Sequence, residues 1–149
     1  MMDLETRLMD DLKSAMKGGD KLRTGVIRML RTDLQNARIS KGKDLEAEEV
    51  LEILSRYARK RAEAAEEYRG GGREELAAKE LAEAEIVKSY LPTPLNEDEL
   101  RELVGQVVEE LGAGGMKMMG AVMKEVLSRA AGRAEGSTVS ALVKARLSQ

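Results

Sequence analysis

A helix-length segment near the N-terminus carries the residues best suited to bind a polyanion. Lys21–Lys43 contains seven basic residues and one acid, Asp33. At about 100° per residue, Lys21, Gln35 and three arginines fall on one side of a helix through this segment. Arginine pairs bidentately with phosphate, so this side is predicted to contact a phosphate backbone. The three arginines are Arg28, Arg31 and Arg38.

The C-terminal part of the sequence separates its charges into an acidic and a basic segment. Leu95–Gly115 has six acids and one base, whereas Met116–Gln149 has six bases and two acids. The basic segment offers a second set of cations to a phosphate backbone. Its candidate binding residues are Lys117, Lys124, Arg129 and Arg133.

A solvated helix face is the competing interpretation of both basic segments. Charged faces are ordinary on helices, and acids such as Glu46, Glu48 and Glu49 are available on a neighbouring helix to balance the arginines. The net charge of −2 does not by itself indicate a nucleic-acid-binding protein. From the residues alone, both interpretations stay open.

The residue types exclude most catalytic chemistry. The sequence contains no histidine and no cysteine, which removes the usual ligands of zinc and the commonest general base and thiol nucleophile. Ser14 and Lys17 have the spacing of a serine–lysine pair, but no further partner accompanies them. The acids in Glu97–Glu99 are typical of a helix start, where the dipole favours negative charge. We therefore predict no catalytic residue, no metal site and no cofactor.

Two glycine-rich segments are interpreted as turns. Gly70–Arg73 and Gly112–Lys117 lack the spacing of a phosphate loop, and neither follows a predicted strand. Backbone N–H groups at a helix start after such a turn can still hold a phosphate of a larger ligand. Four methionines near the second turn are interpreted as core residues, with an adaptable binding surface as the alternative. They are Met116, Met118, Met119 and Met123.

Helices must position all of these residues, because strong helix formers dominate the sequence. No segment alternates polar and apolar residues with the period of a strand. Apolar spacing predicts four helices before the only two prolines, Pro92 and Pro94, with Asp20 as the N-cap of the second. The four predicted helices span about residues 3–17, 21–41, 45–69 and 73–91.

The helical pattern restarts after the prolines. Asn96, followed by three acids, is a predicted N-cap, and three helices are predicted from there to the C-terminus. The predicted fold class is all-α, with an N-terminal four-helix domain at residues 1–92 and a C-terminal three-helix domain at residues 93–149.

The compartment is predicted from short apolar runs and the missing cysteine. The longest apolar runs, such as Ala121–Met123, are too short to span a membrane. Met1–Glu5 lacks the basic and apolar regions of a signal peptide, and the lack of cysteine fits a reducing environment. The expectation is a cytoplasmic protein that has no membrane partner.

Several short segments, taken in their order along the chain, resemble a known family. They are Val26–Met29, Leu34–Asn36, Leu54–Arg56, Arg59–Arg61, Gly72–Leu76, Tyr90–Pro92, Leu95–Leu100, Met119–Met123 and Gly132–Ser137. In this order and spacing they resemble the GatB/YqeY family along nearly the whole chain. The resemblance implies an N-terminal helical domain followed by a C-terminal three-helix domain.

The family has two kinds of member. One is the tail of the B subunit of the glutamine-dependent aspartyl/glutamyl-tRNA amidotransferase, a carbon–nitrogen ligase, in which the tail grips tRNA away from the chemistry. The other is a free-standing protein, which this chain resembles. The resemblance therefore implies a tRNA-associated helical protein, and its family-level label would be carbon–nitrogen ligase. The residue types predict instead that the chain has no catalytic activity of its own.

Two other functions are weighed against this one. A protein–protein adaptor would dock to a translation or amidotransferase complex through the methionine-rich helix or the acidic fifth helix. A free-standing amide-forming enzyme would need a system for glutamine hydrolysis, an ATP motif or a metal site, and the sequence shows none of these motifs.

Overall fold

The computed structural model describes residues 3–149. Across this range the chain forms seven α-helices, one short 3-10 helix and no strand, which confirms the predicted all-α class. The chain divides into two compact units, unit 1 (Met1–Leu91) and unit 2 (Pro92–Gln149). Within residues 3–149, none of the helices combines the length and apolarity needed to cross a bilayer.

Unit 1 contains four helices. They are α1 (Leu4–Lys17), α2 (Lys21–Lys41), α3 (Ala47–Gly70) and α4 (Glu74–Lys88). Asp20 caps α2 as predicted, because its carboxylate accepts a hydrogen bond from the backbone N–H of Arg23 at 3.0 Å. Gly42 ends α2 with a φ of 79°, a left-handed conformation that favours glycine.

Two predicted helix ends of unit 1 differ from the structure. The third helix begins two residues later than predicted, after Glu46, whose backbone N–H donates to the Glu49 carboxylate at 2.8 Å. The fourth helix ends at Lys88 rather than at residue 91. A proline disfavours helical geometry at the residue before it, so the chain leaves the helix ahead of Pro92.

The core of unit 1 is aliphatic, with one tyrosine at its edge. Tyr90 is buried, its hydroxyl donates a hydrogen bond to the Asp11 carboxylate, and the guanidinium of Arg7 lies 5.0 Å from the centre of its ring. Burial and the adjacent carboxylate raise the pKa of Tyr90 to about 12. The buried aliphatic residues of this core are Leu8, Leu12, Val26, Ile27, Leu30, Leu34, Val50, Leu54, Ala58 and Val87.

Unit 2 contains three α-helices and the 3-10 helix. They are α5 (Glu97–Leu111), the 3-10 helix (Met116–Met118), α6 (Met119–Ala130) and α7 (Gly136–Leu147). Asn96 is the N-cap of α5 as predicted, and it forms a reciprocal capping box with Glu99. The core is formed by Leu100, Val104, Val107, Val122, Val126, Val139, Val143 and Leu147.

The interpretation of the methionines as core residues needs correction. Met116 exposes 43% of its surface, and the 3-10 helix that carries it contains no buried residue. Met119 and Met123 are only partly buried and pack against the core of unit 2 from its margin. Valines at helical spacing, such as Val122 and Val126, occupy the centre instead.

We predict that each unit folds independently and that the connection between them is the most accessible backbone. No helix covers residues 89–96, so a protease of broad specificity, such as proteinase K, should cut there first. Mass spectrometry of a limited digest should show complementary fragments that end in this segment or in the Gly70–Arg73 turn. Early cuts inside α2 or α5 would contradict the prediction.

We also predict that Tyr90 makes unit 1 sensitive to alkaline pH. Because folding raises the pKa of Tyr90 from about 10 to about 12, the folded state retains the phenol proton more tightly. Its contribution to stability is therefore complete below pH 10 and is lost as the pH rises through about 12.

The test compares Tyr90→Phe with Tyr68→Phe, since the Tyr68 hydroxyl makes no hydrogen bond within residues 3–149. Urea unfolding followed by circular dichroism should show that Tyr90→Phe lowers the free energy of unfolding by about 1–3 kcal/mol at neutral pH. The Tyr90→Phe variant should also lose stability less steeply between pH 10 and pH 12. Equal effects of the two substitutions would rule out the role given to Tyr90.

Candidate nucleic-acid interface

An open groove between α1 and α2 contains the three arginines predicted in unit 1. Its volume is about 640 Å³, and we call it the arginine groove. It is lined by Glu5, Leu8 and Met9 from α1 and by Arg28, Arg31, Thr32, Leu34, Gln35, Asn36 and Arg38 from α2.

Arg28 and Arg31 are both exposed in this groove. Among the described residues, no carboxylate oxygen lies within 4.0 Å of either guanidinium. Arg28 has only a weak acceptor nearby, because its Nη2 lies 3.8 Å from the Sδ atom of Met16. Both charges are therefore available to a ligand, next to the amide side chains of Gln35 and Asn36.

Arg38 differs from the other two arginines of the groove. Its guanidinium forms ion pairs with Glu5 of α1 and with Asp44, the latter at 2.9 Å from Nε to Oδ1. Hydrogen bonds to Glu5 and Asp44 raise the pKa of Arg38, and the bond from Arg38 lowers the pKa of Asp44. Arg38 thus connects α1, α2 and the turn after α2, and its charge is already balanced.

Arg129 of unit 2 is likewise engaged within the protein. It bridges two helices, pairing with Glu110 of α5 and, at 2.9 Å, with Glu125 of α6. The hydrogen bond to Glu110 is the main cause of a raised pKa of Arg129, and the bond to Glu125 is the second cause. The hydrogen bond from Arg129 also lowers the pKa of Glu110. The arrangement holds α5 and α6 together and leaves little free charge for phosphate.

Arg133 holds the segment that enters α5. Its Nε donates to the backbone carbonyl of Thr93 at 2.7 Å. In return, the backbone N–H of Leu95 donates to the carbonyl of Arg133 at 2.8 Å. The Nε–H edge of the guanidinium therefore stabilises the fold, and its remaining N–H groups are available to a ligand.

Lys117 and Lys124 are the candidate bases of unit 2 whose charges are not engaged. Both are exposed, Lys117 in the 3-10 helix and Lys124 on α6. Within the part of the chain that the structure describes, neither ammonium has a carboxylate oxygen within 4.0 Å. Of the predicted C-terminal set, these two are the most accessible to an anionic ligand.

A second cavity of unit 1, of about 520 Å³, was not predicted from the sequence. We call it the Glu83 cavity. Its charged residues lie on three different helices, and no sequence motif connects them along the chain, so local residue spacing does not predict it. It is lined by Lys21, Leu22, Gly25, Val26, Met29, Tyr57, Arg61, Lys79, Glu80 and Glu83.

A family model described as Yqey-like protein matches residues 5–147. The chain is also similar to curated proteins named "Altered inheritance of mitochondria protein 41, mitochondrial". With that of Pyrenophora tritici-repentis it shares 32% identity over 135 residues, which cover 88% of this chain and 73% of the relative.

Two yeasts provide further relatives of the same name. The chain is 35% identical to the protein of Lachancea thermotolerans over 91 residues, 60% of this chain and 49% of the relative. It is 28% identical to that of Clavispora lusitaniae over 119 residues, 78% of this chain and 69% of the relative. These relatives are named as mitochondrial proteins, so the expectation of a cytoplasmic protein is wrong by this comparison.

The contrast between Arg38 and Arg31 leads to a stability prediction. Arg38→Gln should lower the free energy of unfolding by about 1 kcal/mol, because two carboxylates lose their partner. Arg31→Gln should change it by less than about 0.5 kcal/mol. Urea titrations of both variants at low and high salt check this, and the Arg38 effect should shrink at high salt. A larger loss for Arg31→Gln would show that the two roles are reversed.

Proposed function

Because the chain belongs to the family described as Yqey-like protein, we propose that it is a tRNA-associated helical protein with no catalytic activity of its own. Its role would be similar to that of the tRNA-gripping tail of the amidotransferase B subunit. The observation that carries the proposal is the arginine groove, in which Arg28 and Arg31 present charges that no carboxylate of the described chain balances.

The chemistry of the groove suits the backbone of a structured RNA. Arg28 and Arg31 supply planar donors for phosphate oxygens, and Gln35 and Asn36 supply neutral donors and acceptors beside them. Phosphate contacts position a protein on nucleic acid but carry no sequence information. We therefore expect affinity that depends on salt and discriminates weakly between tRNA species.

Unit 2 contributes the second part of the proposed contact. Lys117 and Lys124 are its available bases, whereas Arg129 and Arg133 are held by partners within the unit. Lysine binds phosphate as a point charge rather than through a planar fork. Loss of these two lysines should thus reduce the affinity for all tRNA sequences to a similar extent.

The salt dependence of tRNA binding provides the test. Each phosphate contact contributes about −0.7 to −0.9 to the slope of log affinity against log salt. The double variant Arg28→Gln/Arg31→Gln should therefore flatten the slope by about 1.5 while helicity is unchanged, because glutamine forms helices nearly as well as arginine. Filter binding or fluorescence anisotropy with total tRNA measures the slope.

A matched control is available on α3. Arg59 and Lys60 are exposed and have no carboxylate partner within the described chain, and neither lines the arginine groove. Arg59→Gln/Lys60→Gln removes the same net charge and should leave most of the slope intact. If both double variants flatten the slope equally, the effect is one of net charge and the groove is not the binding site.

Exposed apolar residues of unit 2 favour a protein–protein adaptor as the second candidate. Leu111, Met116 and Leu127 are each exposed despite their apolar side chains, and a surface on which such residues adjoin would suit a protein partner. Wild-type protein that fails to bind tRNA at low salt would make the adaptor the better proposal.

A further inference from the structure

The Glu83 cavity combines cationic, acidic and apolar groups in a way that the proposed tRNA contact does not use. It lies between α2, α3 and α4, and none of its lining residues belongs to the arginine groove. Its volume of about 520 Å³ is within the usual range of sites for small molecules, about 300–1,000 Å³.

Two lysines from different helices border the cavity. Lys21 lies at the start of α2 and Lys79 lies on α4, and both side chains are exposed. Within residues 3–149, no carboxylate oxygen is within 4.0 Å of either ammonium. Two ammonium groups that border the same opening favour an anionic group between them.

The acidic side of the cavity offers a hydrogen-bond acceptor. Glu80 is paired with Arg61 at 3.2 Å, whereas Glu83 is half-buried and has no basic partner within 4.0 Å among the described residues. Burial raises the pKa of Glu83, and the charge of Glu80 adds to this effect. A half-buried carboxylate without a partner is stabilised by N–H donors from a ligand.

The wall between these charged groups is apolar and contains a gap. Leu22, Val26 and Tyr57 line it, and Arg61 lies 5.2 Å from the centre of the Tyr57 ring. Gly25 contributes no side chain, and a Cβ built there would meet no atom within 4 Å. The α2 backbone at Gly25 is therefore open to a flat, weakly polar group of a ligand.

We propose that the Glu83 cavity binds a nucleotide, with its phosphate at Lys21 and Lys79 and an N–H edge of its base at Glu83. A nucleotide carries all three required groups, namely an anion, a flat body and N–H donors. Guanine is the preferred base, because its adjacent ring N–H and amino group can donate to both oxygens of one carboxylate. The nucleotide can be free, or it can be an exposed nucleotide of an RNA.

The first test measures binding of guanosine monophosphate, uridine monophosphate and inorganic phosphate to the full chain by calorimetry and by amide chemical shifts. Guanosine monophosphate should bind about tenfold more tightly than uridine monophosphate, as expected for one bidentate base contact. The largest shifts should occur at Gly25 and Glu83. If inorganic phosphate binds as tightly as guanosine monophosphate, the base is not recognised and the proposal is overturned.

The variant Gly25→Leu closes the cavity without endangering the fold. The Cβ of the new side chain meets no atom within 4 Å, and replacing a helical glycine raises helix propensity. Affinity for guanosine monophosphate should fall at least about tenfold, while the unfolding temperature stays equal or rises. Retained affinity in this variant would place the ligand elsewhere and overturn the proposal.

Two further variants assign the base contact. Glu83→Gln should reduce the preference for guanosine over uridine monophosphate, because the amide presents only one acceptor oxygen. Lys60→Gln removes an exposed lysine of α3 that does not line the cavity. It should change neither the affinity for guanosine monophosphate nor the affinity for uridine monophosphate. An unchanged preference in Glu83→Gln would refute the assignment of the base edge to this carboxylate.

A short single-stranded oligoribonucleotide that contains guanosine distinguishes a free nucleotide from an exposed nucleotide of an RNA. If the oligonucleotide binds more tightly than the mononucleotide, and Gly25→Leu abolishes this binding, the ligand is a nucleotide of an RNA. If the mononucleotide binds more tightly, the ligand is a free nucleotide. No binding of either ligand refutes the proposal. Arg28→Gln/Arg31→Gln should leave affinity for the mononucleotide unchanged, so the outcome for this cavity is independent of the outcome for the proposed tRNA contact.

Discussion

Burial of one face of α2 determines where every candidate ligand group on that helix points. Val26, Ile27, Leu30 and Leu34 are each no more than 2% exposed. Returning one such side chain to water costs about 1.5–3 kcal/mol, and whole domains are stable by only about 5–15 kcal/mol. A rotated α2 would therefore unfold unit 1. The bases of α2 are held on its remaining faces, with Arg28 and Arg31 towards solvent.

Much of the fold could be predicted because its signals are local. The bounds of α2 match the sequence prediction, since Asp20 and Gly42 mark its ends by capping and by a left-handed turn. The end of α4 is predicted less well, because the apolar spacing continues through Val87 to Leu91, whereas the steric effect of Pro92 ends the helix earlier. The methionines were misplaced for a tertiary reason. Smaller valines fill the core of unit 2, and composition does not reveal which apolar residues meet.

The candidate site was predictable in part. Arg38 lies about 20° from buried Ile27 around the helix axis, so its half-buried position is implicit in the sequence pattern. The Arg129–Glu125 pair has the four-residue spacing of a helical ion pair. By contrast, Arg129 meets Glu110 across 19 residues and Arg133 meets the Thr93 carbonyl across 40. Such contacts depend on how helices pack, and no local pattern specifies them.

One rigid helix thus borders two surfaces that differ in chemistry. The arginine groove is cationic beside neutral amides, whereas the Glu83 cavity pairs cations with an acceptor carboxylate. Gly25 and Arg31 are about 9 Å apart along the axis of α2, a span that a short stretch of RNA can cover. A ligand that reached both would gain affinity from effective concentration rather than from a change in shape. Two separate ligands would not be coupled through a rotation of α2, because its buried face holds the helix in one orientation.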